Sequence, residues 1–226
     1  MIVVHHLNNS RSQRILWLLE ELGLEYEIKK YRRDAKTMLA PPELRAVHPL
    51  GKSPVVQVDN TVVAESGAII EYLVGRYGNG GSGALAPAPG TPGRLHYTYF
   101  LHYAEGSAMP PLLLKLVFDH VENGPAPFFV RPLARAIANK VKDSFVLPQI
   151  RQHLAFLEGE LGKRTWFAGD DFSAADIQMS FPLEAAAARG GLDGQYPNLV
   201  AFLDKIHARP AYRRALERGG QYDFVK

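Results

Sequence analysis

The stretch HLNNSRSQRILWLLEELGLEYE, residues 6–27, joins an apolar run to a strongly patterned helix through a polar NNS. The apolar residues 2–7 predict a buried strand. Residues 11–22 repeat apolar side chains at helical spacing and predict a helix, with Gly23 suited to the position after its end. Residues 25–31 alternate and predict a second strand. This β-α-β order favours two parallel strands with a right-handed crossover.

The next segment predicts a hairpin followed by a helix. VVQV and TVVA are short strand patterns joined by Asp59 and Asn60, a pair typical of tight hairpin turns. The proline-rich residues 40–54 before them predict a loop that holds one short helical turn. ESGAIIEYLVGRYG, residues 65–78, predicts a third helix. The order β-α-β, loop, β-β-α is a thioredoxin-like α/β layout.

A change of composition divides the chain. GNGGSGALAPAPGTPG, residues 78–93, is rich in glycine and proline and predicts a linker. We therefore expect a thioredoxin-like domain at residues 1–82, a linker at 83–91 and an all-α helical domain at 92–226. No convincing strand pattern follows the linker.

The helical domain is predicted to begin with two long helices. The first runs from residue 91 to about residue 120, where Pro110 and Pro111 are expected to bend it. The second covers residues 131–161, and Pro148 is expected to kink it. Three shorter helices follow, the first of them opened by a capping box in FSAAD.

Composition excludes several kinds of site. The chain has 226 residues, a net charge of +3 and no cysteine, so disulfides, thiolate metal sites and a cysteine nucleophile are excluded. The histidines show no metal-ligand spacing, and we predict no metal. The adjacent His5 and His6 point to opposite faces of a strand, so we expect one to be packed and the other solvated.

Charge and hydropathy also limit the partners. The mild positive charge, without a Lys/Arg block interleaved with aromatic residues, argues against nucleic acid. No apolar run is long enough to span a bilayer, and the start MIVVHHLNNS lacks the features of a signal peptide. We therefore expect no membrane partner and a cytoplasmic location.

Three motifs in this order resemble one family. GKSPVV and ESGAIIEYL in the first domain and FSAADI in the second are similar to the cytosolic glutathione S-transferases. HPLGKSP and LHYAEGSAMPPLL resemble the yeast-like group of bacterial and fungal transferases in particular. The resemblance covers essentially the whole chain. It implies a thioredoxin-like domain plus an all-helical domain, glutathione as co-substrate, a small apolar electrophile and a homodimer.

The resemblance also implies how the thiol is activated. Family members place a Tyr, Ser or Cys after the first strand, where it donates a hydrogen bond to the glutathione sulfur. Ser10 occupies that position here, with Arg14 at the usual arginine of the first helix. Arg11 either faces the site or is a solvated arginine. Ser10 is alternatively a helix cap that accepts from the amide of residue 12 or 13, and Asn9 and Ser12 are alternative activating residues.

Further positions match the family's glutathione site. The resemblance implies a cis Ser53–Pro54 bond that presents the backbone of Ser53 to the cysteinyl unit, and places Lys52 near the glycyl carboxylate. Glu65 and Ser66 open the third helix, where free amides and the helix dipole suit the γ-glutamyl carboxylate. The alternatives are a trans proline, a solvated lysine and ordinary helix capping.

The helix YTYFLHYAEGSAMPPLL is implied to line the electrophile pocket and the subunit interface. Tyr103 and Ser107 are the pocket candidates, and Glu105 is the candidate for reaching the partner subunit's glutathione. A packed aromatic face and a solvated carboxylate are the alternatives. Near the C-terminus, Tyr222 or Phe224 either closes over the pocket or packs.

The predicted function is conjugation of the glutathione thiolate to apolar electrophiles. Glutathione-dependent peroxidase activity at the same site and a non-catalytic glutathione-binding module are the alternatives. Without cysteine, the protein cannot form a mixed disulfide with glutathione.

Overall fold

The computed structural model describes residues 1–34, 37, 39–78 and 85–225. Its first part is a four-stranded sheet with helices. The elements are β1 (Ile2–Leu7), α1 (Ser12–Glu21), β2 (Glu27–Tyr31), α2 (Pro42–Val47), β3 (Val55–Val58), β4 (Thr61–Ala64) and α3 (Ser66–Tyr77). The predicted thioredoxin-like order is confirmed.

The sheet has the strand order β2-β1-β3-β4. β1 is parallel to β2 and antiparallel to β3, and β3 continues into the antiparallel β4, so the predicted parallel pair and hairpin are confirmed. Asp59 in the hairpin turn has a φ of +53°, which suits a tight primed turn. Because β1 and β3 run in opposite directions, the chain leaving β1 lies beside the chain entering β3.

The central strand is covered on both faces, which corrects the expectation for its two histidines. His5 and His6 are both buried, each with 3% of its surface exposed. His5 Nδ1 lies 2.9 Å from the hydroxyl of Tyr31, on the face where Leu44 of α2 packs. His6 Nδ1 lies 2.9 Å from Ser12 Oγ of α1. The sequence pattern of one strand could not show that helices cover both of its faces.

Part of the predicted linker lies outside the described residues. These are residues 83 and 84, together with residues 79–82 at the end of the predicted first domain. The described chain resumes at Leu85, which is buried in the main core. The predicted domain boundaries stay predictions.

The second part is helical. Its elements are α4 (Pro92–Tyr103), α5 (Met109–Asn123), α6 (Arg131–Val141), α7 (Leu147–Leu161), α8 (Ala174–Arg189), α9 (Pro197–His207) and α10 (Pro210–Gly219). In the described part of the chain, no helix is long and apolar enough to cross a membrane. α1 contacts α3 of the first part and α8 and α10 of the second, so its side chains lie at the junction of the two.

Each of the two long predicted helices is interrupted by a π-helical turn, at Ala104–Ala108 and at Lys142–Val146. The sequence prediction placed the interruptions at the prolines, but each turn lies just before them. Proline has no N–H, so the carbonyls one turn earlier lose their helical donor. The chain responds by widening, and the amides of Met109 and Leu147 bond to carbonyls five residues back.

The predicted capping box opens α8 and is confirmed. Asp176 Oδ2 accepts from the Ser173 amide at 2.8 Å and from its hydroxyl at 3.0 Å, while Oδ1 accepts from the Phe167 amide at 2.9 Å. Burial raises the pKa of the fully buried Asp176 to about 6, although these hydrogen bonds oppose the shift. The box ties the start of α8 to the preceding loop.

Candidate functional site

The backbone of Leu7, at the end of β1, connects two of the predicted site segments. Its amide donates to Ser53 Oγ at 3.3 Å, and its carbonyl lies 3.3 Å from the hydroxyl of Ser12. Ser53 Oγ also donates to the His5 carbonyl at 2.9 Å. The turn that carries Ser10 and the loop before β3 are therefore held together at the end of one strand.

Ser10 lies in a chain of hydrogen bonds at the start of α1. Its Oγ lies 2.7 Å from Ser12 Oγ and accepts from the Ser12 amide at 3.2 Å. Ser12 Oγ continues the chain to His6 Nδ1 at 2.9 Å, and all three side chains are buried. Burial, with a contribution from Lys30, lowers the pKa of His6 to about 4, so its ring is neutral at neutral pH. The bond from the Ser12 amide is the capping contact that the sequence left open, and both roles of Ser10 stay compatible with it.

Asn9, the second alternative for thiol activation, is engaged by the C-terminal tail. Its φ of +50° lies in the left-handed region, which asparagine tolerates better than most residues. Asn9 Nδ2 donates to Asp223 Oδ2 at 2.6 Å, and Asn9 Oδ1 accepts from the Asp223 amide at 2.9 Å. The turn before Ser10 is therefore tied to the end of the chain.

The loop before β3 presents unused backbone groups. The Ser53–Pro54 peptide bond is cis, as predicted. Among the described residues, neither the N–H nor the C=O of Ser53 has a hydrogen-bond partner within the protein. Ser53 is half-buried, and Lys52 beside it is exposed. Ser53 thus offers one donor and one acceptor to an extended peptide, with a cation next to them.

Glu65 and Ser66 lie at the N-terminus of α3. Glu65 has a φ of +68°, a conformation that is uncommon outside glycine and that often marks a functional position. Its side chain is exposed and makes no capping bond. Ser66 is buried, and its Oγ accepts from Arg14 Nη2 at 2.8 Å and from Gln178 Nε2 at 3.4 Å. The first-turn amides of α3 have no acceptor within the helix, which makes this end suited to an anion.

Glu105 joins the two arginines of α1 to the helical part of the molecule. Arg11 Nε donates to its two carboxylate oxygens at 3.0 and 2.8 Å, and Arg14 Nη2 also pairs with it. Burial favours the protonated form of Glu105, but the two guanidinium groups prevail and hold its pKa below the usual value. Burial also lowers the pKa of Arg14, which Glu105 opposes.

These ion pairs change the expectations for Arg11 and Glu105. Glu105 uses both oxygens within its own chain, so the predicted contact with the partner subunit would compete with two existing ion pairs. That contact stays a prediction. Arg11 faces Glu105 and also stacks over Phe181, with 5.2 Å between the guanidinium carbon and the ring centroid. A direct contact of Arg11 with glutathione likewise stays a prediction.

Tyr103 packs inside the helical part. It is 8% exposed, its hydroxyl bonds to His153 Nδ1, and its ring stacks with Tyr99. This is the packed aromatic face that the sequence left open, and the assignment of Tyr103 to the pocket stays a prediction. Ser107, on the first π-helical turn, is half-buried. Its assignment to the pocket stays a prediction.

The C-terminal tail packs beside the arginine pair rather than standing open. The hydroxyl of Tyr222 bonds to the buried Glu184. Phe224 lies against Phe181, with 5.2 Å between ring centroids. Because Phe181 also supports Arg11, the tail contributes one wall of this region.

The sequence did not predict two residues that contribute hydrogen bonds to the site. Gln178 donates toward Ser66 from α8, and His6 ends the hydroxyl chain of Ser10. A glutamine within the apolar AADIQMSF run was the available signal for Gln178, whereas His6 gave none beyond its place in a strand. In the described part of the chain, no group of three His, Cys, Asp or Glu residues could hold a metal ion.

Two protein-family models match this chain. The model of the glutathione S-transferase N-terminal domain matches residues 1–75, and that of the C-terminal domain matches residues 128–210. The chain belongs to the glutathione S-transferase family. The resemblance found in the sequence, and the transferase function that it implied, are confirmed.

Curated relatives extend the match over the whole transferase. Glutathione S-transferase 1 of Saccharomyces cerevisiae is 36% identical over 226 residues, which cover 96% of this chain and 95% of that protein. Glutathione S-transferase 3 of Schizosaccharomyces pombe is 38% identical over 220 residues, covering 96% of this chain and 88% of that protein. The relation therefore includes both parts of the fold.

Solved transferases share the fold. A crystal structure of a glutathione S-transferase from Actinobacillus pleuropneumoniae has a TM-score of 0.78 and 33% identity, covering 100% of this chain and 96% of that chain. A sphingomonad glutathione S-transferase, solved in complex with glutathione, has a TM-score of 0.72 and 26% identity, covering 96% and 98% of the two chains. The arrangement of the two parts is thus the one these transferases have.

Proposed function

We propose that the protein binds glutathione along the edge formed by the Ser53 loop and α3, holds it as a thiolate near Ser10, and transfers it to a small apolar electrophile. The observation that carries the proposal is the convergence of Ser53 and Ser12 on the backbone of Leu7. It brings a free peptide edge next to the start of α1. The peptide backbone of glutathione pairs with this edge. Its sulfur then lies near the Ser10 hydroxyl and the N-terminus of α1.

The peptide edge holds the middle and the glycyl end of glutathione. The free N–H and C=O of Ser53, before the cis Pro54, pair with the backbone of the cysteinyl unit. The exposed ammonium of Lys52 attracts the glycyl carboxylate. This pairing uses backbone groups alone, so it orients the cysteinyl side chain without depending on side-chain rotamers.

The N-terminus of α3 holds the γ-glutamyl end. The free amides of the first turn and the Ser66 hydroxyl bind its carboxylate, which the helix dipole also favours. Glu65 accepts from its ammonium. Arg14 donates to Ser66 Oγ, so the Ser66 proton is left to point toward the ligand. Arg11 lies on the same side of α1 and adds positive potential.

Thiolate stabilisation by Ser10 is the activating step. A free thiol has a pKa of about 8.5, so only a few per cent is ionised at neutral pH. Lowering that pKa by about two units corresponds to roughly 2.7 kcal/mol in favour of the anion. A hydrogen bond from Ser10 and the positive end of α1 both act in this direction. Catalysis then rests on a local field and not on a covalent enzyme intermediate.

The electrophile binds against the helical part, in a pocket to which Ser107 contributes. Two copies form a homodimer, for which the exposed apolar Leu95 and Tyr99 of α4 offer a surface. The transferase works in the cytoplasm, in the detoxification of electrophiles.

The test is the ultraviolet thiolate absorbance of glutathione bound to the protein, followed against pH. We expect a bound thiol pKa well below the solution value, and a return toward that value in Ser10→Ala. Conjugation to an aryl halide and reduction of an organic hydroperoxide, measured on the same preparation, separate transferase from peroxidase activity. Binding of glutathione with an unchanged thiol pKa would contradict the activating step and support a binding module.

A further inference from the structure

The hydrogen-bond chain at the start of α1 has a direction, and the Leu7 carbonyl sets it. The Ser12 hydroxyl lies 3.3 Å from that carbonyl oxygen. A carbonyl oxygen can only accept, so Ser12 is the donor in this contact.

His6 holds the Ser12 hydroxyl in this position. Its Nδ1 lies 2.9 Å from Ser12 Oγ, and both side chains are buried. In the tautomer with hydrogen on Nε2, Nδ1 is a second acceptor for the Ser12 proton, and in the other tautomer Nδ1 donates to Ser12 Oγ. In both tautomers the Ser12 proton serves the Leu7 carbonyl or His6, so it is not available to Ser10.

The contact between Ser10 and Ser12 consequently has only one possible donor. The two Oγ atoms are 2.7 Å apart, and Ser12 has already used its proton. Ser10 must donate to Ser12, while its own oxygen accepts from the Ser12 amide at 3.2 Å. Toward any ligand, Ser10 then presents a lone pair. A lone pair accepts from a thiol S–H, whereas a thiolate needs the proton.

We propose that Ser12, held by His6, is a positioning residue that takes the Ser10 hydroxyl proton and so limits the stabilisation of the glutathione thiolate. The inference rests on the proposed function, in which Ser10 donates to the sulfur. To do so, Ser10 turns its proton away from Ser12 and loses the 2.7 Å bond. Ser12 and the sulfur compete for one proton, and the affinity of Ser12 for it sets the bound thiol pKa.

The experiment measures the pKa of bound glutathione by thiolate absorbance in wild type and in variants. Ser12→Ala removes the competitor, so we expect the bound thiol pKa to fall by about half to one unit, the worth of one net hydrogen bond. The double variant His6→Leu/Ser12→Ala should show the same fall. It also removes the buried His6 nitrogen that Ser12→Ala alone would leave without its partner, so it serves where Ser12→Ala folds poorly. Ser180→Ala, which removes another buried helix hydroxyl, is the control and should keep the wild-type value.

Ser10→Ala and Ser10→Ala/Ser12→Ala complete the set. We expect Ser10→Ala to raise the thiol pKa and the further loss of Ser12 to add nothing, because Ser12 acts only through Ser10. If Ser10→Ala raises the pKa while Ser12→Ala leaves it unchanged or raises it, the inference is overturned and the proposed function stands. If Ser10→Ala leaves the thiol pKa of wild type unchanged, the activating step fails and the inference fails with it.

Discussion

Arg14 Nη2 lies 2.8 Å from Ser66 Oγ, although the two residues are 52 positions apart in the sequence. Arg14 extends from α1 and is 2% exposed, and Ser66 is the first residue of α3. This bond fixes the relative position of two helix N-termini, one beside the proposed sulfur position and the other at the proposed γ-glutamyl site. Glu105 balances the buried charge of Arg14, so the helical part helps to hold the glutathione-binding part in shape.

Ser66→Ala should weaken glutathione binding. It removes the acceptor of Arg14 and the hydroxyl proposed to bind the γ-glutamyl carboxylate. A hydrogen bond to a charged group contributes about 1.5–3 kcal/mol, so we expect a rise of roughly 10- to 100-fold in the Kd for glutathione. Isothermal titration calorimetry measures it, with Ser144→Ala on the exposed second π-helical turn as the matched control. An unchanged Kd would remove Ser66 from the site.

Glu105→Gln should destabilise the folded protein. It leaves the guanidinium of Arg14, whose side chain is 1% exposed, without its balancing charge. Removal of one partner of a buried pair costs about 3–5 kcal/mol, and the partial exposure of Glu105 places the expected loss near the lower end. Urea unfolding gives the free energy of unfolding. Asp59→Asn breaks an exposed ion pair with the N-terminus and should change it little. Equal effects of the two variants would show that Glu105 is not a buried partner.

His6 should make the folded state sensitive to acid. Its pKa is about 4 in the folded protein and about 6.5 when unfolded, so the unfolded chain binds more protons between these values. The contribution of His6 to the free energy of unfolding is fully present above pH 6.5 and falls by about 3 kcal/mol as the pH falls to 4. The unfolding free energy of wild type minus that of His6→Leu should therefore decrease as the pH falls from 6.5 to 4. A difference that stays constant with pH would show that His6 is not buried in its neutral form.

Asp176 should have the opposite pH dependence. Its pKa is raised from 3.8 to about 6 in the folded protein, so the folded state binds the proton more tightly. The contribution of protonated Asp176 to the free energy of unfolding is fully present below pH 3.8 and is lost as the pH rises through 6. Asp176→Asn should remove this dependence, and urea unfolding at pH 4.5 and 7.5 compares the two proteins. The same pH response in both proteins would contradict the raised pKa.

Local patterns in the sequence predicted much of the fold. The β-α-β opening, the Asp59–Asn60 hairpin and the capping box each depend on neighbouring residues, and the structure has all three. Family motifs predicted the cis Ser53–Pro54 bond. These features share a cause, because short-range sterics and hydrogen bonds determine them.

The features that escaped prediction depend on distant partners. Burial of both His5 and His6 requires helices on two faces of one strand. The pairing of Arg11 with Glu105 joins residues 94 positions apart. For Tyr103 the sequence offered a packed face and a pocket as alternatives, and its contact with His153 depends on a helix fifty residues further along the chain. In each case the side chain had two physically reasonable surroundings, and only the packed molecule selects one.

The two π-helical turns have a consequence for how the sequence can vary. A residue in an α-helix advances the side chains by about 100°, and a π-helical turn holds one residue more than an α-helical turn needs. The extra residue is taken up within the turn, so the apolar faces of α4 and α5 stay aligned although their spacing in the sequence shifts by one residue. Deleting a single residue within Ala104–Ala108 would convert the π-helical turn into an α-helical one and leave the later side chains of α5 facing the core. The same deletion within Met109–Asn123 has no extra residue to remove, so it would rotate every later side chain of α5 by about 100°.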